Sequence, residues 1–216
     1  MQRTPKSRQK PAFVVGIDEA GRGPLAGPVA VGAVSARTAE LPRLKRVFRM
    51  IKGKDSKKLS PEDREKWFAV IKAEAKAGNL RWKVSLSGND MIDKKGIVPA
   101  IRSALIRNLR SLLVVADEPQ HTRVLLDGGL KAPAEFLDQK TIIKGDEKEL
   151  LISLASICAK VTRDAAMCRL AKKYPEYGFA VHKGYGTKMH SNALKLYGLC
   201  VIHRLSFCAR FHPINR

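Results

Sequence analysis

The chain has 216 residues, 44% hydrophobic and 28% charged, and carries 41 Lys and Arg against 20 Asp and Glu, a formal charge of +21. That is enough for one domain with a buried core, so disorder is not the default reading; an anionic membrane could also attract the charge, but there is no signal-peptide pattern and no apolar run near the roughly 18 residues of a membrane span. A phosphate polymer as partner explains the basic surplus, because cationic side chains displace the counterions condensed on its backbone.

Residues 1–12 hold Arg3, Lys6, Arg8 and Lys10 with no acid, together with Pro5 and Pro11, and read as a flexible basic tail. Residues 13–216 read as a single domain. Phe13 to Ile17 is a short apolar run, a buried strand that leads into Asp18-Glu19. A turn rich in glycine and proline follows from Ala20 to Pro28, then a second strand over Val29 to Val34, so the pair is expected to be antiparallel. Residues 43–58 contain eight basic side chains and one acid, Asp55.

Ser60-Pro61-Glu62-Asp63 has the cap, first-turn proline and early acids of a helix start, and Gly78 ends that helix. Trp82, Val84 and Leu86 alternate with polar residues as in a strand. Ile97, Ile101, Leu105, Leu109 and Leu112 follow helical spacing. Two further apolar strands, Val124-Leu125-Leu126 and Thr141-Ile142-Ile143, run into Asp127-Gly128-Gly129 and Lys144-Gly145-Asp146. A helix is expected from Glu147 to about Lys173, stopped by Tyr174-Pro175, then a loop over 182–190 and a short helix from Ser191 to Tyr197 closed by Gly198. The order implies an α/β or α+β mixed sheet flanked by helices.

Three strands thus end in acids: Asp18 with Glu19, Asp127, and Asp146. Functional groups gather at strand ends, where the rigid scaffold stops. If these strands are neighbours, four carboxylates converge and raise one another's pKa, a conflict that a divalent cation resolves. An all-oxygen donor set suits Mg²⁺ or Mn²⁺. Each acid also has an ordinary reading: Asp127-Gly128 as a turn and Asp146 as the cap of the next helix. Asp164 competes with Asp146 for the fourth place, although Lys160 four residues before it suggests a helical ion pair. No nucleotide-binding glycine loop is present in Gly21-Arg22-Gly23. Without C-x-x-C pairs or metal-ligand spacing, Cys158, Cys168, Cys200 and Cys208 read as reduced cytosolic thiols, and His182, His190 and His203 as structural or phosphate-contacting side chains.

Seven blocks in order carry a resemblance. Gly16 to Val29, Asp55 to Ser60, Leu126-Asp127-Gly128, Lys144-Gly145-Asp146, Ala155 to Asp164, His182 to His190 and Ile202 to Phe207 together resemble the ribonuclease HII family over nearly the whole chain. The resemblance implies an RNase H-like fold with a central mixed five-stranded sheet flanked by helices and a helical C-terminal extension, forming one catalytic domain over 13–216. It implies cleavage of the RNA strand of RNA–DNA hybrids and incision at single ribonucleotides embedded in duplex DNA. It assigns Asp18, Glu19, Asp127 and Asp146 to two Mg²⁺ or Mn²⁺ ions, Gly21-Arg22-Gly23 to the ribose 2′-OH at the junction, and Tyr185 to the adjacent deoxyribose. Lys57, Lys160, Arg163 and Lys183 are expected at phosphates. Gly96 and Pro99 depart from the family's usual residues in what reads as a helix. A monomeric cytoplasmic enzyme is expected. A ribonuclease HIII-like or resolvase-like nuclease of the same fold is the alternative within that class, and a noncatalytic nucleic-acid-binding protein the alternative outside it.

Overall fold

The computed structural model describes residues 11–49, 59–112 and 119–211. Five strands, β1 (Phe13–Ala20), β2 (Val29–Arg37), β3 (Arg81–Ser87), β4 (Thr122–Asp127) and β5 (Asp138–Ile142), form one sheet in the order β3-β2-β1-β4-β5. β1 pairs antiparallel with β2 and parallel with β4, so the sheet is mixed as expected, and the expected antiparallel pair is there. The helices are α1 (Leu41–Val47), α2 (Pro61–Lys76), α3 (Asn89–Lys95), α4 (Ile97–Leu112), α5 (Gly145–Lys148), α6 (Leu150–Lys173), α7 (Phe179–His182) and α8 (Lys188–Tyr197).

Alternation along the central strands feeds two cores. Val14, Val34 and Ala36 pack with Leu151, Leu154 and Ile157 of α6 and with Ile71 of α2 on one face. Val15, Ile17, Val31 and Ala33 pack with Ile101, Leu105 and Leu109 of α4 on the other. A third cluster, with Leu25, Met167, Tyr177, Phe179 and Leu194, holds the C-terminal helices against the β1–β2 turn.

The α6 helix crosses the sheet with very little clearance. A Cβ on Gly16 would lie 2.2 Å from the Leu151 carbonyl carbon, and one on Gly32 would lie 2.1 Å from the Ala155 carbonyl oxygen. Only glycine admits that approach, and it brings residues 155–164 of α6 over the strand that carries Asp18.

Several boundaries differ from the sequence reading. β1 continues through Asp18 and Glu19, which pair with Gly32 and Val31. The helix expected from Glu147 is split, because Glu149 is extended (φ −119°, ψ 120°) and Asp146 belongs to the separate single turn α5. The expected loop over 182–190 contains the first turn of α8, whose cap is Thr187 rather than a residue next to Ser191. Gly96 lies at φ +87° between α3 and α4, so it separates two helices rather than lying inside one; Pro99 sits in the first turn of α4, where the helix tolerates it. The Ser60 cap stands as expected, accepting the Asp63 N–H at 3.0 Å. At the edge of the expected tail, Ala12 donates to the His121 carbonyl at 2.9 Å and Pro11 accepts from the Thr38 hydroxyl; residues 1–10 lie outside the described residues.

Candidate active site

The parallel β1–β4 pairing sets Ile17 against Leu126, which brings Asp18, two residues before the end of β1, beside Asp127 at the end of β4. Asp18 is 2% exposed. Burial pushes its carboxyl up to about 8; the Ser156 hydroxyl opposes the rise by hydrogen bonding, and the charges of Glu19 and Asp127 add to it. Its Oδ1 accepts the Glu19 N–H at 2.7 Å, while Oδ2 is buried with no hydrogen-bond partner. A buried carboxylate oxygen left in this way is costly to ionise, and beside two more acids it suits a cation.

The expected four-carboxylate convergence is only partly drawn together. Among the described residues no three His, Cys, Asp or Glu side chains already converge as an ion's ligand set. The physical reason lies in competing partners. Glu19 pairs with Arg22 at 3.0 Å, and Asp127 Oδ1 accepts the Gly145 N–H at 2.6 Å. That second bond ties Asp127 to α5 at the residue before Asp146, itself buried, so the third and fourth acids are linked through one backbone amide. Asp164 forms its ion pair with Lys160 at 3.0 Å, the ordinary reading of that spacing.

Beside the acids lies a cleft of about 520 Å³ lined by Glu19, Gly21, Arg22, Gly23, Arg64, Ser156, Lys160 and Tyr185, with Ala20. Six residues singled out from the sequence therefore share one wall. Lys160 Nζ lies 5.8 Å from the Tyr185 ring centroid, and the ring is 40% exposed. Arg22 also lines a second cleft of about 610 Å³ along α4.

Two expected phosphate contacts are placed elsewhere. Arg163 is fully buried, and its guanidinium donates to the carbonyls of Pro28 at 2.9 Å, Lys183 at 3.0 Å and Ala26 at 3.4 Å. It is an internal clamp, unable to reach a phosphate from 0% exposure. Lys183 turns its ammonium to the Ala180 carbonyl and the Cys168 thiol, outside the cleft. Lys57 lies outside the described residues, as do Asp55, Ser56 and Lys58 of the same block.

The cleft also contains residues that the sequence did not single out. Ser156 bonds to Asp18, and Arg64 reaches the cleft while donating to the Leu59 carbonyl at 2.9 Å. Behind the turn, Arg204 is fully buried and donates to the carbonyls of Gly21 at 2.8 Å, Arg22 at 2.9 Å and Gly27 at 2.9 Å. The three histidines are packed together, with the His182 and His190 rings stacked at 4.4 Å, and have structural partners. All four cysteines are free thiols, two of them buried.

A five-stranded mixed sheet with helices on both faces, carrying Asp18 and Asp127 on its paired strands β1 and β4, has the architecture of the RNase H-like class. Its relatives narrow the class further. The ribonuclease HII family model matches residues 15–212, and a ribonuclease HII of Ruminiclostridium cellulolyticum is 44% identical over 200 residues, 92% of this chain and 71% of the relative. The chain belongs to the ribonuclease HII family and is a ribonuclease H. Among solved structures, the ribonuclease H2 of Pyrococcus horikoshii OT3 aligns with a TM-score of 0.63 at 26% identity, over 93% of this chain and 99% of the other. Bst-RNase HIII in complex with Mn²⁺ aligns with a TM-score of 0.63 over 88% of this chain and 64% of the other, at 15% identity, a likeness of fold alone.

Proposed function

We propose that the chain cuts the RNA strand of RNA–DNA hybrids and incises duplex DNA at single embedded ribonucleotides, leaving 5′-phosphate and 3′-OH ends. The observation that carries this reading is the cleft in which Glu19, the Gly21–Gly23 turn, Lys160 and Tyr185 meet next to the buried Asp18.

Asp18, Glu19, Asp127 and Asp146 would hold Mg²⁺ or Mn²⁺, and two such ions supply water activation and stabilisation of the departing 3′-oxygen. The orphaned Asp18 Oδ2 and the all-oxygen donor set fit that role. Backbone amides of the Gly21–Gly23 turn meet the ribose hydroxyl, the group that separates RNA from DNA. Tyr185 offers an exposed ring face to the neighbouring sugar, and Lys160 and Arg64 attract the phosphates on either side. A noncatalytic binding protein has no use for buried acids in a phosphate-binding cleft, since they only weaken anion binding. Among the described residues no helix is long and apolar enough to cross a membrane, and a monomer acting on nucleic acid in the cytoplasm completes the proposal.

The test is cleavage of duplex DNA containing one ribonucleotide, with Mg²⁺ or Mn²⁺, mapped to the nucleotide. Incision at the ribonucleotide that stops in EDTA is expected. Cutting that persists in excess EDTA, or that ignores the ribonucleotide, overturns the proposal.

A further inference from the structure

Arg204 is among the most deeply buried cations of the described residues and lies some 180 residues along the chain from the turn it holds. Its Nε reaches Gly27, one terminal nitrogen reaches Arg22 and the other reaches Gly21, in each case at the carbonyl oxygen. Arg163 grips the same turn further on, at Ala26 and Pro28. Burying Arg204 within reach of the Arg163 charge is expensive, the carboxylate of Asp93 that offsets it is only partly buried, and apolar side chains of similar volume would cost less. Burial and the charge of Arg163 together pull the Arg204 guanidinium down to about 10. The arrangement therefore calls for a role beyond packing.

Peptide geometry supplies one. In a planar trans peptide the C=O of one residue and the N–H of the next point in opposite directions. With the Gly21 and Arg22 carbonyls drawn inward to one guanidinium, the N–H groups of Arg22 and Gly23 are turned away from it, and the same three residues line the cleft. Two successive N–H groups on one side make a concavity for an oxygen atom. Gly21 permits this at φ +87°, where any Cβ would also strike the Arg163 side chain at 1.9 Å.

We infer that Arg204 is a positioning residue for ribose recognition: by holding the Gly21 and Arg22 carbonyls it presents the Arg22 and Gly23 amides to the 2′-hydroxyl. This rests on the function proposed above and adds a specificity determinant that itself never touches the substrate.

The test is equilibrium binding of the full chain, in EDTA, to two duplexes of one sequence, one carrying a single ribonucleotide and one all DNA. In Arg204→Met the preference for the ribonucleotide is expected to fall by roughly 3–10-fold, the span of one lost hydrogen bond, while all-DNA affinity stays within about 2-fold because surface cations set it. Arg204→Lys, which keeps the charge and a shorter reach, is expected to lose part of the preference and decides the matter if the Met variant does not fold. A preference unchanged in the folded variant, or both affinities falling together, overturns the inference alone. A wild-type chain indifferent to the ribonucleotide overturns the proposed function and this inference with it.

Discussion

His203 donates from Nε2 to Nε2 of His190 across 3.0 Å. The direction follows from the outer partners. His190 Nδ1 faces the Tyr185 carbonyl at 3.0 Å and must carry its proton there, so its Nε2 accepts; His203 Nδ1 in turn accepts the Cys200 N–H at 2.9 Å. The chain of bonds is neutral from end to end and finishes on the backbone of the tyrosine in the cleft.

A pH dependence follows. Burial lowers His190 to about 4, with the neighbouring His182 and His203 rings opposing a second proton, and burial lowers His203 as well. Between the ordinary imidazole value near 6.5 and about 4, the unfolded chain binds protons that the folded chain refuses. The stability from these rings is therefore full above that window and lost as pH falls through it. Thermal midpoints at pH 7 and pH 4.5 should differ more for wild type than for His190→Asn, which also costs about 1–3 kcal/mol at pH 7. Parallel pH profiles for the two proteins would show the rings to be titrating freely.

Asp18→Asn should separate stability from activity. The raised carboxyl means that the folded chain keeps a proton which the unfolded chain releases, so this group's contribution is present at low pH and disappears as pH rises through about 8. The neutral amide removes that loss. Without divalent metal at pH 8.5, the variant is expected to be about 1–3 kcal/mol more stable than wild type in denaturant titration, and inactive with metal. Added Mn²⁺ should raise the melting temperature of wild type more than that of the variant. Equal metal-induced shifts would remove Asp18 from the ligand set.

Much of this candidate site was legible because an apolar run that breaks into acids stands out in the sequence. The runs before Asp18 and Asp127 were visible for that reason, as was the Ser60 cap, whereas β5 spans Asp138–Ile142, is mostly exposed, and is followed by Asp146 on α5 rather than at its end. The exact end of β1 was not visible, because Asp18 and Glu19 look like turn residues until β2 is there to pair with them. The seven-residue helices α1 and α3 and the single turn α7 are too short to establish a periodicity. The roles of Arg163 and Arg204 were hidden more deeply. A cation in a basic sequence reads as a phosphate contact, and its burial is decided by carbonyls more than 130 residues away, for which no local pattern exists.

Gly32→Ala tests how closely α6 governs the site. Gly32 is paired with Asp18 across the β1–β2 ladder and lies under the Ala155 carbonyl, one residue before Ser156. A methyl group 2.1 Å from that oxygen forces helix and sheet apart. Overpacking of this kind costs about 1–3 kcal/mol, and the shift lengthens the Ser156–Asp18 contact. The guanidinium chloride midpoint should fall and kcat should drop more than KM changes. Unaltered kcat in the folded variant would mean that the Ser156 contact does not tune the acid.

As candidates for the fourth carboxylate, Asp146 and Asp164 make opposite demands. Asp164 is paired with Lys160 at 3.0 Å on one face of α6, with both side chains about one-fifth exposed. Removing its charge frees Lys160 without uncovering a buried orphan, and pairs of this kind contribute only about 0.3–0.5 kcal/mol. Asp164→Asn should therefore keep activity within about 3-fold, with a small gain in duplex affinity as the freed ammonium meets phosphate. Asp146 is buried in α5, next to the amide that holds Asp127. Asp146→Asn should lose at least about 100-fold in kcat, as expected when a metal-ligating carboxylate is removed, and should need more Mn²⁺ to reach half-maximal rate, while binding the hybrid no more weakly. The measurement is the metal dependence of single-turnover cleavage for both variants. A large loss in Asp164→Asn with normal metal dependence in Asp146→Asn would exchange their roles, placing the fourth carboxylate on α6.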